Sequence, residues 1–107
     1  GKLQDAEISY RKAIELNPNS ADAHYNLGII LKDLGKLKEA ELSLRKAIEL
    51  KPDYAEAHSN LGIILKDLGK LQDAELYLRK AIALNPERIS TYTFIGQVLQ
   101  GLEELKS

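Results

Sequence analysis

The chain contains no cysteine, no methionine and no tryptophan, and it has a single phenylalanine, Phe94. Without cysteine there is no disulfide framework, no thiolate metal site and no cysteine nucleophile. Charge of one sign is missing as well. Fifteen Lys and Arg against 16 Asp and Glu leave a net charge of -1, which argues against nucleic-acid binding, since displacing counterions from phosphates calls for a basic face. No apolar run approaches the roughly 20 residues that span a bilayer, and no basic-then-apolar leader opens the sequence. These absences point to a cytoplasmic protein with no membrane partner. Phosphate loops are missing too: the GKL and GII stretches match neither GxGxxG nor GxxxxGK.

What is present is periodic. The twelve residues from Asn26 to Leu37 recur letter for letter from Asn60 to Leu71. Prolines stand at 18, 52 and 86, and glycines at 1, 35 and 69 and again at 28, 62 and 96, every spacing being 34. Residues 21–54 match residues 55–88 except at 22, 25, 38, 39, 43, 49, 51, 53 and 54. Self-similarity at a fixed period of this length marks a stack of repeats, each a supersecondary unit that buries its apolar face against its neighbours.

Each period divides into two helices. Ala23, Leu27, Ile30, Leu31 and Leu34 keep the spacing of one helical face, and Gly35 follows as the left-handed residue that ends a helix. Leu37, Ala40, Leu44, Ala47 and Ile48 form a second stripe that stops before Pro52, whose ring drives Lys51 out of helical angles. Asp53 with Glu56 reads as an N-cap and capping box, and Asn19 with Asp22 as a weaker copy. The expected helices cover 2–16, 20–34, 37–50, 54–68, 71–84 and 88–102, with no segment alternating at a period of two. Gly28, Gly62 and Gly96 fall inside helices, where glycine costs up to about 1 kcal/mol relative to alanine. Their recurrence implies close approach of a neighbouring helix, with Ala40, Ala47, Ala74 and Ala81 as the matching small surfaces.

With these positions in register, the chain resembles the tetratricopeptide repeat family over essentially its whole length. Counting Ala21 as the first position of a unit, the family's signature falls on Leu27, Gly28, Ala40, Ala47 and Pro52, then on Leu61, Gly62, Ala74, Ala81 and Pro86. In the leading half unit it falls on Ala6, Tyr10, Ala13 and Pro18. The departures are bulky for bulky: His24, His58 and Tyr92 stand where the family favours Trp, Leu31, Leu65 and Leu99 where it favours Tyr, and Leu44 and Leu78 replace an aromatic. The resemblance implies an all-α, right-handed superhelical solenoid of antiparallel helix pairs. Its parts would be a half repeat over 1–20, full repeats over 21–54 and 55–88, and a first or capping helix over 89–107. It also implies a concave groove, lined by the first helix of each pair, that binds a peptide or a partner protein.

Candidate residues follow from that register. Asn26 and Asn60 lie off the core stripe, and an amide that both donates and accepts can hold an extended peptide backbone whatever its sequence. Some family members, including the array of the O-GlcNAc transferase, use an asparagine ladder at this position; here Phe94 ends it. Lys32 with Lys66 and Asp33 with Asp67 form further columns, either meeting a partner's charges or pairing with each other between units. Tyr25, replaced by Ser59 one unit later, is the candidate for selectivity. His24 and His58 would lie roughly 8–10 Å apart, one helix-packing distance, and lack the further ligands that zinc requires. They read as half-buried ring replacements, so no metal, no cofactor and no enzyme activity is expected. Glu103 and Glu104 are neighbours on a helix that point different ways, unsuited to paired catalysis.

The ends are out of phase with whole units. Leu3 and Tyr10 at one end and Ile95, Leu99 and Leu102 at the other include residues that would have met absent helices, so head-to-tail self-association, which does not close on itself, is an alternative to partner binding. A third reading is a repeat segment that recruits substrate for a larger protein such as a transferase.

Overall fold

In the computed structural model, which describes residues 1–107, six helices run in order: α1 (Lys2–Leu16), α2 (Ala21–Asp33), α3 (Leu37–Leu50), α4 (Ala55–Asp67), α5 (Leu71–Leu84) and α6 (Ile89–Leu105). There is no strand. Neighbours in sequence pack antiparallel in pairs, α2 with α3 and α4 with α5, and the pairs stack into an elongated all-α solenoid of 48 × 27 × 20 Å.

Gly35 and Gly69 adopt φ of +78° and +79°, the left-handed angles that stop α2 and α4. The turn after α2 is closed by Lys36 N–H to Leu31 O at 2.8 Å and Gly35 N–H to Lys32 O at 2.9 Å, and the turn after α4 repeats both bonds. The phase-equivalent of these glycines in α6 is Glu103, a helix former. The helix therefore runs on to Leu105 rather than stopping at 102.

The other turns correct the expected caps. Asp53 does not cap α4: the N-cap is Tyr54, with no side-chain bond. A tight turn, Tyr54 N–H to Lys51 O at 3.1 Å, holds Pro52 and Asp53 at its two central positions, where proline's fixed φ is favoured. The helix consequently starts one residue later. In the same turn of the preceding unit Ser20, not Asn19, is the cap, its hydroxyl accepting from Ala23 N–H at 3.1 Å. Ser20, Tyr54 and Arg88 share one register, and the serine alone carries a capping oxygen within reach.

The core follows the small-residue stripes. Ala40, Leu44, Ala47, Ala57, Leu61, Ile64, Leu65, Ala74 and Leu78 are completely inaccessible. A Cβ on Gly28 would stand 2.8 Å from Leu44 Cγ and one on Gly62 2.6 Å from Leu78 Cγ, so the two helices of each pair touch through glycine. Gly96 differs from that expectation: nothing lies within 4 Å of its missing Cβ, because α5 packs on another side of α6 and no helix covers the Gly96 side.

Candidate interaction groove

The backbones of the first helices α2, α4 and α6 approach one another in succession, whereas those of α1, α3 and α5 stand farther apart, α3 and α5 meeting through side chains, with Arg45 Nη1 donating to Tyr77 Oη at 3.0 Å. The stack therefore bends toward the first helices, and their outward side chains line its inner face.

Asn60 is central to that face and only 8% exposed. Its Nδ2 donates to Glu56 O at 3.0 Å, one turn back, and to Tyr25 Oη at 3.2 Å, while its Oδ1 accepts from Lys32 Nζ at 3.2 Å. Both of its partners on α2 belong to the preceding unit, so the amide is spent on tying α4 to α2. Asn26 is half-buried and makes no such bonds; its amide stays accessible to solvent. Identical letters in identical register thus have different surroundings.

Tyr25 stacks on Tyr54, ring centroids 4.9 Å apart at 30°, and burial pushes its hydroxyl above the ordinary tyrosine range. Tyr54 Oη donates to Asp22 Oδ1 at 2.7 Å, and Lys51 Nζ lies 4.6 Å over its ring. Burial and then the Asp22 carboxylate raise the Tyr54 hydroxyl strongly, so it stays a proton donor. Ser59, the counterpart of Tyr25, is buried. Lys66 Nζ donates to Gln97 Oε1 at 3.1 Å, sits 5.4 Å over the Phe94 ring and lies 3.6 Å from Asp67. Lys32 pairs with no Asp, and Asp33 and Asp67 remain exposed. The lysines thus reach forward to the next unit's polar or aromatic side chain, not to its aspartate. Tyr54, Asp22 and Gln97 join the network although no periodic signal singled them out; the aromatic Tyr54 between Ser20 and Arg88 in register is the trace that could have done so.

His24 Nε2 bonds the Pro18 carbonyl at 2.9 Å, His58 Nε2 the Pro52 carbonyl at 2.8 Å, and Tyr92 Oη the Pro86 carbonyl at 2.6 Å. A carbonyl only accepts, so each ring donates. The three side chains pin the proline turns, the role that leaves them one per unit. No group of three or more His, Asp or Glu is placed to hold a metal ion, and no helix is long and apolar enough to cross a membrane.

At the ends, Leu3 is 41% exposed, Tyr10 half-buried and Leu99 40% exposed, whereas Leu65 in the register of Leu99 is fully covered by its own pair. Ile95 corrects the expectation of an uncovered residue. It is 7% exposed and part of the core, because its position, like that of Leu61, faces the preceding unit. Leu102 is half-buried as well, in the core's margin.

Three family models match this chain: a TPR repeat over residues 30–69 and tetratricopeptide repeats over 9–41 and 55–88. The chain belongs to the tetratricopeptide repeat family. Among solved structures, this TPR chain is similar to MamA, with 31% identity and a TM-score of 0.91 over 96% of this chain and 60% of that one. It therefore spans less than two thirds of MamA. The first TPR of Spaghetti (RPAP3), bound to the HSP90 peptide SRMEEVD, shares the fold at 24% identity and a TM-score of 0.94, over 96% of this chain and 82% of that one. A mutant O-GlcNAc transferase of Thermobaculum terrenum matches at 25% identity with a TM-score of 0.86, over 92% of this chain and 19% of that one. Comparison with curated protein sequences gives no match.

Proposed function

We propose that this TPR array is a non-catalytic protein-interaction scaffold that holds an extended segment of a partner protein along its inner face. The observation that carries the reading is the unspent amide of Asn26 beside the fixed group Tyr25–Asn60–Lys32. An amide free to donate and accept can pair with an extended backbone. The cross-unit bonds hold Tyr25 and Lys32 in place before a partner arrives, which lowers the ordering cost of binding. The exposed Asp33 and Asp67 and the half-buried Lys32 and Lys66 give such a segment charges of both signs to meet. The peptide complex of the related Spaghetti domain supports a peptide as the occupant.

Selection from a displayed peptide library on the immobilised chain, followed by titration of the enriched peptide, tests this. Loss of one hydrogen bond in Asn26→Ala is expected to cost about 0.5–1.5 kcal/mol of affinity. An enriched peptide that binds Asn26→Ala and Lys32→Ala as tightly as the parent chain would overturn the inner-face reading.

One observation favours a second reading, head-to-tail association. Gly96 is open and Leu99 exposed on α6. Tyr10 of α1 occupies the register of Leu44 and Leu78, the residues that fill the glycine notch inside the array. A similar open face would also suit the repeat segment of a larger, substrate-recruiting protein.

A further inference from the structure

The face of the array opposite the Asn60 network carries two troughs. His58 lies two residues before Asn60, about 200° round α4, and with Ile48, Pro52, Lys80, Ala83 and Leu84 it lines a recess of about 380 Å³ between the C-terminal ends of α3 and α5. One unit earlier, Ile14, His24 and Lys46 occupy the same three register positions in a recess of about 340 Å³. The two recesses thus share an isoleucine, a histidine and a lysine in register, while the rest of the earlier lining, Arg11, Leu27, Leu42 and Ser43, has no counterpart in the later one.

The two troughs differ in charge. Lys12 and Lys46 are each paired with a glutamate three residues on, Glu15 at 3.5 Å and Glu49 at 3.4 Å. At Lys80 that position is Ala83, and no carboxylate lies within ion-pair distance; its ammonium rests 5.1 Å over the ring of Tyr77. Tyr77 in turn replaces Ser43 and stacks on His58 at 5.9 Å. Of the positions at which the repeats diverge, one therefore lines the trough, Ala83, and one, Tyr77, backs its His58 and Lys80, and both exchange a polar side chain for an apolar or aromatic one. The result is an apolar recess, extended by Leu84 at 42% exposure, with one unneutralised cation at its rim. A recess of this volume sits at the lower end of the roughly 300–1,000 Å³ of ligand pockets, room for side chains rather than for a folded surface.

We propose that this trough is a second docking site, separate from the inner face, for an acidic segment of a partner protein. An aliphatic side chain of that segment enters between Ile48 and Leu84, and a neighbouring Asp or Glu meets Lys80. The earlier trough does not compete, because Glu49 already supplies the carboxylate.

The test is an NMR titration of the isotope-labelled chain with the peptide Gly-Ser-Leu-Glu-Asp-Leu-Ser-Gly and with its neutral counterpart carrying Gln and Asn for Glu and Asp. The expected result is saturable shifts at His58, Lys80 and Leu84, with the acidic peptide bound about fivefold more tightly, as an exposed charge pair warrants. Ala83→Glu, an exposed helical position that recreates the Lys46–Glu49 pairing, should lose that fivefold preference with an unchanged circular dichroism spectrum. Equal binding of both peptides, unchanged binding by Ala83→Glu, shifts confined to Asn26 and Lys32, or no saturable shift at millimolar peptide would each overturn the proposal. So would capture of the chain by phosphatidylserine vesicles that the acidic peptide fails to displace.

Discussion

Lys32 Nζ donates to Asn60 Oδ1 at 3.2 Å, across 28 residues and from one repeat to the next. The same side chain in the next unit, Lys66, finds a phenyl ring and a glutamine instead. Units alike in sequence are therefore joined by unlike contacts, and variants at equivalent positions should behave differently.

The two asparagines give the sharpest contrast. Asn60→Ala strands the Tyr25 hydroxyl and the Lys32 ammonium at a buried joint, so a loss of about 1–3 kcal/mol is expected in urea or thermal denaturation. Asn26→Ala breaks no internal bond and should leave the midpoint within about 0.5 kcal/mol of the parent. Equal effects at the two sites would contradict the asymmetric network.

Glycine substitutions should split in sign. A methyl at Gly62 meets Leu78 Cγ at 2.6 Å, and Gly62→Ala is expected to cost about 1–3 kcal/mol through overpacking. Gly96→Ala meets nothing within 4 Å and should gain about 0.5–1 kcal/mol from helix propensity. Thermal unfolding of the two variants side by side checks both.

Glu41 links α3 to the turn before α5, accepting from Arg45 Nε at 2.9 Å and Lys70 Nζ at 3.2 Å. Burial pushes its carboxyl up, but the hydrogen bonds from Arg45 and Lys70 outweigh burial and hold it below the ordinary glutamate range. A folded-state value below the unfolded one means stabilisation present above the unfolded pKa, about 4.3, and lost as pH falls through the lower folded value. The parent chain should therefore exceed Glu41→Gln in denaturant midpoint at neutral pH, the gap closing only below about pH 4. A gap that persisted at lower pH would show that packing, not charge, sets it.

Self-association turns on Leu99. Sedimentation of the parent chain at rising concentration should show increasing mass if α6 accepts the α1 of another copy, and Leu99→Glu should abolish it. A constant monomer mass into the millimolar range, where contacts of about 4 kcal/mol become visible, removes the second reading.

The 34-residue period, the paired helices and the stops at Gly35 and Gly69 were legible from the sequence, because each rests on local demands: a helical stripe, a residue able to take positive φ, a proline that bars the helix. Close approach at Gly28 and Gly62 was legible too, since small residues recur where backbones meet, but the side chains that fill the notches are Leu44 and Leu78, not the alanines expected there. The tertiary structure alone decided which identical letters do the same work. Asn60 has Tyr25 and Lys32 one unit before it, whereas α1, the helix before Asn26, is a second helix and offers no such pair. Ile95 is buried and Leu99 is not, because the first faces the preceding unit and the second faces a helix that would follow. A repeat fixes what each residue needs from its own helix, but burial and hydrogen bonding across units depend on what stands one period away, and there the copies differ.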